Sequence, residues 1–128
     1  KGPYKPVDVQ ENLLSHDSKR MQRMNDINLA NPAIRLGGPT FRWAYLCLIA
    51  IKHLPKILPR IETPVLVLEA EQEQIVNNKT LEKLTALFMH SSLKKIARAK
   101  HEILFETDDI RSPVLQQIQA FFTSTHNA

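Results

Sequence analysis

The run Thr63-Pro64-Val65-Leu66-Val67-Leu68-Glu69-Ala70-Glu71-Gln72-Glu73-Gln74-Ile75-Val76-Asn77-Asn78 decides how the 128-residue chain is read. Val65 to Leu68 is a short continuous apolar stretch rich in β-branched residues. That pattern suits a strand buried on both faces of a parallel sheet. Polar residues Glu69 to Gln74 then form a loop, and Asn77 or Asn78 can cap a helix reaching about Met89, with Leu81, Leu84 and Phe88 on its inner face.

Downstream the alternation continues. Leu93 to Ala99 reads as a second strand, interrupted by Lys94, Lys95 and Arg98. Ser112 can cap a last helix and Pro113 can occupy its first turn, with Val114, Ile118, Phe121 and Phe122 as the core stripe. A right-handed crossover would lay the two strands parallel. Two strands make a poor sheet alone, so an exposed strand edge is expected to recruit more of the same protein or another chain.

Upstream the pattern changes. Residues 1–12, with Pro3 and Pro6, read as an extended lead-in. A helix is expected from a Ser15 cap to about Ala30, where Asn31-Pro32 stops it. Gly37-Gly38-Pro39 marks a turn. Thr40 caps a helix over about Phe41–Leu54, with Pro55 and Pro59 ending the segment. Its residues Phe41, Trp43, Tyr45, Leu46, Leu48, Ile49 and Ile51 fit no single stripe, so it should be covered on several sides or line an apolar cleft. The chain thus divides into a helical segment, 1–60, and an α/β segment, 61–128.

Composition excludes several classes. Hydrophobic residues make up 43% and charged residues 23%, the profile of a globular domain. The net charge of +4 is dispersed along the chain, poor footing for a nucleic-acid site but weakly favourable to anionic surfaces. The single Cys47 forbids an internal disulfide and fits a reducing, cytoplasmic setting; its apolar neighbours suggest packing. The first residue is Lys1 rather than Met, which reads as a processed or excised piece, and no signal-peptide pattern is present. The longest apolar run, Ala44–Ile51, is too short to span a bilayer.

Chemistry in parallel sheets collects beyond the carboxyl ends of the strands. Two polar groups fall there: Glu69 to Glu73 after the first strand, and Lys100-His101-Glu102 after the second. A carboxylate and an imidazole can meet across that rim, the carboxylate fixing the tautomer and leaving the other ring nitrogen as a base. Acid before histidine is also the chain order of α/β-hydrolase triads. Ser15-His16-Asp17 lists triad residue types side by side, but neighbours on a helix start diverge, and a cap is the better account. His53, His90 and His126 are isolated. One Cys and scattered His give no metal cluster, and no glycine-rich phosphate loop or other cofactor motif is present.

The stretch quoted above resembles the acid-bearing segment of bacterial lysophospholipases and monoacylglycerol lipases. His101-Glu102-Ile103-Leu104-Phe105-Glu106 resembles their histidine segment. Asn12-Leu13-Leu14-Ser15-His16-Asp17-Ser18 and Arg35-Leu36-Gly37-Gly38-Pro39-Thr40-Phe41-Arg42-Trp43 resemble the lid region of the same lysophospholipases. The likeness covers most of residues 12–123. It implies the C-terminal part of an α/β-hydrolase fold behind a helical lid, with Glu73 as triad acid, Glu71 as fallback and His101 as general base. Glu106 would support the loop. Phe41, Trp43 and Tyr45 become candidate lid or acyl-pocket residues, and lipid esters the implied substrates, with peripheral contact at the inner membrane. Two departures stand out. Lys100 replaces a small or aromatic residue, and the three glycines, Gly2, Gly37 and Gly38, form no Gly-x-Ser-x-Gly nucleophile elbow. The resemblance therefore implies that the chain alone is inactive.

Overall fold

A computed structural model describes residues 2–126, with side chains through Ser124. Lys1 and the His126 side chain lie outside the described residues. The order is α1 (Ser18–Ala30), α2 (Phe41–Ile57), β1 (Val65–Ala70), α3 (Asn78–Thr85), β2 (Ser91–Ile96) and α4 (Asp108–His126), with single 3-10 turns at Pro32–Ile34, Leu58–Arg60 and Ile103–Phe105. This is an α/β arrangement, as expected for part of an α/β-hydrolase fold.

β1 and β2 pair in parallel, from Val65 opposite Ser91 to Ala70 opposite Ile96. Both outer edges of this two-stranded sheet are open among the described residues. Ala70, Ile96, Ala99, Ile110 and Val114 form the buried core, with Leu68, Ile103 and Ile118 packed against it. α4 thus covers one face of the sheet. Of its expected stripe, Val114 and Ile118 turn inward, whereas Phe122 is exposed and meets Phe121 edge-on with ring centroids 5.8 Å apart.

Several boundaries differ from the sequence reading, each for a local reason. β2 runs over Ser91–Ile96 rather than Leu93–Ala99. It stops where Arg98 adopts φ 61° and the Ala99 N–H turns back to the Ile96 carbonyl. α3 ends at Thr85 rather than near Met89, because the Leu87 and Phe88 N–H groups bond three residues back and the Ser91 hydroxyl donates to the Thr85 carbonyl. α4 begins at Asp108 rather than Ser112: the Ile110 and Arg111 N–H groups bond the Thr107 carbonyl, and Asp108 and Asp109 supply negative charge at the N-terminus. Pro113 sits inside that helix. Asp17, not Ser15, caps α1, accepting from the Arg20 N–H at 2.9 Å. Thr40 and Asn77 cap α2 and α3 as expected, accepting from the Trp43 and Thr80 N–H groups.

α2 departs most. It continues through Pro55 to Ile57, and none of its residues is buried. Phe41 is 98% exposed, Trp43, Tyr45, Leu46 and Leu48 are exposed as well, and Cys47 is only half-buried. The cover that its composition demands is not supplied by the described residues. No helix among them is long and apolar enough to cross a membrane.

Candidate active site

The carboxyl end of β1 leads into a tight loop that sorts its three glutamates. Glu69, still on the strand, is buried; one oxygen lies 3.9 Å from the Lys95 ammonium and the other has no partner. The Glu71 carboxylate accepts from the Arg98 N–H at 2.9 Å, bracing the left-handed turn that ends β2. Glu73 turns the other way. Its Oε1 accepts from the Ile75 and Val76 N–H groups at 2.7 and 3.2 Å, which fixes the carboxylate on its own loop. Its Oε2 lies 2.7 Å from Nδ1 of His101.

His101 follows β2 just as Glu73 follows β1, so parallel pairing brings residues 28 positions apart to one rim. The Glu73 side chain is 4% exposed and that of His101 29%. Burial works to raise the Glu73 pKa, but the Ile75 N–H, the His101 ring and the Val76 N–H together hold it below the ordinary glutamate value. A carboxylate ionised at neutral pH accepts from Nδ1–H. In the neutral ring that donation leaves Nε2 unprotonated and able to take a proton.

Glu106 holds the histidine loop. Its side chain is wholly buried. Oε1 accepts from the Lys100 N–H at 2.8 Å and lies 3.0 Å from Nδ1 of His16, while Oε2 accepts from the His16 N–H at 2.9 Å. Burial again pushes this carboxyl up, and the Lys100 and His16 N–H groups and the His16 ring reverse it, leaving its pKa lowered. Around this hub the Ser15 hydroxyl donates to the Phe105 carbonyl, the Glu102 N–H to the Leu14 carbonyl and the Lys100 ammonium to the Asn12 carbonyl, each at 2.8 Å. Arg20 adds a bond to the Glu106 carbonyl. Residues 12–20 are therefore sewn to residues 100–106 on both sides of His101.

The sequence marks Glu106 and Lys100 but not their partners. Ser15 and His16 lie about 90 residues from Glu106, and no local signal joins them. Ser15-His16-Asp17 forms no relay: the Ser15 hydroxyl donates to the Phe105 carbonyl, the His16 ring meets Glu106 and the Asp17 carboxylate accepts from the Arg20 N–H. Phe41, Trp43 and Tyr45 lie together on α2, exposed. No group of three His, Cys, Asp or Glu side chains that could hold a metal occurs among the described residues.

The profile of the family described as serine aminopeptidase, S33 matches residues 3–108. The chain belongs to this family of α/β-hydrolases. It is 54% identical over 121 residues to the probable lysophospholipase L2 of Haemophilus influenzae, an alignment covering 94% of this chain and 39% of that protein. It is 31% identical over 134 residues to lysophospholipase L2 of Escherichia coli, covering 99% of this chain and 39% of that protein. The chain thus spans about two-fifths of the length of these relatives.

Proposed function

We propose that this chain supplies the acid and the histidine of a serine carboxylic-ester hydrolase acting on lysophospholipid or monoacylglycerol. The observation that carries the reading is the 2.7 Å contact between His101 Nδ1 and Glu73 Oε2 at the ends of paired parallel strands. The names of the relatives point to lysophospholipid, and the resemblance to monoacylglycerol lipases adds the alternative ester.

In this mechanism Glu73 orients the ring and stabilises the imidazolium. His101 Nε2 takes the proton of a serine hydroxyl as that oxygen attacks the ester carbonyl, then passes it to the leaving alcohol. The acyl-enzyme is hydrolysed by the same base acting on water. The 128 residues hold no Gly-x-Ser-x-Gly sequence, so the serine and the oxyanion hole belong to chain outside them. Docking along the open edge of β1 gives that chain a place in the sheet. Residues 1–60 act as the lid, and Phe41, Trp43 and Tyr45 face the acyl chain. No Asp or Glu occurs between Asp26 and Glu62, while Arg35, Arg42, Lys52, Lys56 and Arg60 do. That balance suits a peripheral enzyme at the cytoplasmic face of an anionic membrane.

The test uses the full-length protein. It should hydrolyse lysophosphatidylcholine or monoacylglycerol, and His101→Ala should abolish turnover. This chain alone should be silent, and should regain activity when the nucleophile-bearing half is added in trans. Turnover surviving His101→Ala overturns the site; cleavage of an amino-acid p-nitroanilide in place of lipid esters overturns the substrate class. The open sheet edges also favour a second reading, a non-catalytic module that completes its sheet with a partner chain. A stable complex without esterase activity would support it.

A further inference from the structure

Between α1, the 3-10 turn Ile103–Phe105 and the start of α4 lies a cavity of about 480 Å³. Its apolar wall is built from Met24, Ile27, Leu104 and Phe105, and its charge comes only from arginines; no Asp or Glu lines it. Arg20 is already paired with Asp17 and Asp108. Arg111 spends its Nε on the Leu104 carbonyl at 2.9 Å, which leaves its terminal nitrogens uncommitted among the described residues. Arg23 is exposed and makes no ion pair or hydrogen bond among them.

Apolar walls under unpaired guanidinium groups select for one chemistry: an aliphatic chain with an anionic head. Guanidinium binds carboxylate and phosphate through paired N–H donors, and the volume falls within the range of small-molecule sites. Neither His101 nor Glu73 is among the residues that line the cavity. We propose that this cavity is a second binding site for a single-chain anionic amphiphile, its head on Arg23 and Arg111 and its chain against Met24, Ile27, Leu104 and Phe105. The site rests on its lining and not on the hydrolase reading, although a fatty acid released by such an enzyme is a molecule of this class. Leu104 and Phe105 belong to the segment that follows His101, so an occupant touches that segment.

The experiment is calorimetric titration of the full-length protein with dodecanoate, dodecyl phosphate and dodecanol, each below its aggregation limit. The two anions should bind and dodecanol should bind about tenfold more weakly. Arg23→Gln should weaken the anions about tenfold without changing the melting temperature, and Arg23→Gln with Arg111→Gln should weaken them further. The tighter of the two anions assigns the head to a free fatty acid or a phospholipid phosphate. Glu73→Gln should leave these affinities unchanged. Equal binding of dodecanol, no binding of either anion, or anion binding that ignores Arg23 but is lost on Trp43→Ser would overturn the proposal. Because dodecanoate is no ester, these results stand whether or not the protein hydrolyses lysophospholipids.

Discussion

Replacing Glu106 is the most informative stability experiment, because one wholly buried carboxylate holds three donors within 3.0 Å. Glu106→Ala strands the Lys100 and His16 N–H groups. A buried donor left without its partner costs about 1–3 kcal/mol. The His16 ring is 37% exposed, so water replaces its lost bond and little is added for it. The expected loss is about 3 kcal/mol, a large fraction of the ~5–15 kcal/mol that holds a typical domain. Glu106→Gln keeps one acceptor but turns an amide N–H₂ toward a donor, and should cost about 2 kcal/mol. Urea unfolding of the full-length protein, followed by far-ultraviolet circular dichroism, measures both. The pH dependence is a second readout. The folded Glu106 pKa lies below the unfolded glutamate value of about 4.3, so its contribution is fully present above that value. It is lost as pH falls through the lowered folded pKa. The gap between wild type and Glu106→Gln should therefore be flat from neutral pH down to about 4.3 and narrow below it. A variant within about 0.5 kcal/mol of wild type at pH 7 would refute the hub, since that is the scatter of ordinary surface substitutions.

Three further outcomes are expected. Arg98→Gly should be neutral or stabilising by up to about 1 kcal/mol in urea unfolding: the φ of 61° costs a side-chain-bearing residue about 1–2 kcal/mol, and the exposed Arg98–Asp109 pair offsets under 1 kcal/mol. A loss above 1 kcal/mol would show that the pair outweighs the strain. Val114→Ala, at a buried core position, should cost about 2 kcal/mol, and a change under 0.5 kcal/mol would mean that α4 is not packed on the sheet. Trp43→Ser on α2 should raise KM for long-chain lysophospholipids more than for short-chain esters; an equal effect on both would remove Trp43 from the acyl pocket.

What the sequence disclosed followed from how local each signal is. The Val65–Leu68 run marks β1 because a buried strand is apolar without interruption. Thr40 and Asn77 are legible because a cap bonds its own first turn. β2 was placed two residues late because Ser91 and Ser92 carry no apolar signal on a largely exposed strand. The pairing of Glu73 rather than Glu71 with His101 turned on Arg98, whose N–H occupies Glu71 from a different loop. Ser15 looked like a cap, yet its hydroxyl bonds a carbonyl 90 residues away, and the His16–Glu106 pair was hidden for the same reason. For α2, composition discloses the apolar surface but not its exposure, because burial is set by packing partners that composition does not name.

Rates of acyl-enzyme formation with lysophosphatidylcholine, measured in single turnovers of the full-length protein carrying Glu73→Ala or Glu71→Ala, probe the proposed acid–histidine pair most directly. Loss of the residue that orients the base should slow the Glu73 variant about 10³–10⁴-fold, while the Glu71 variant stays within a few-fold of wild type. Equal rates in the two variants, or an undiminished rate without Glu73, would contradict the account.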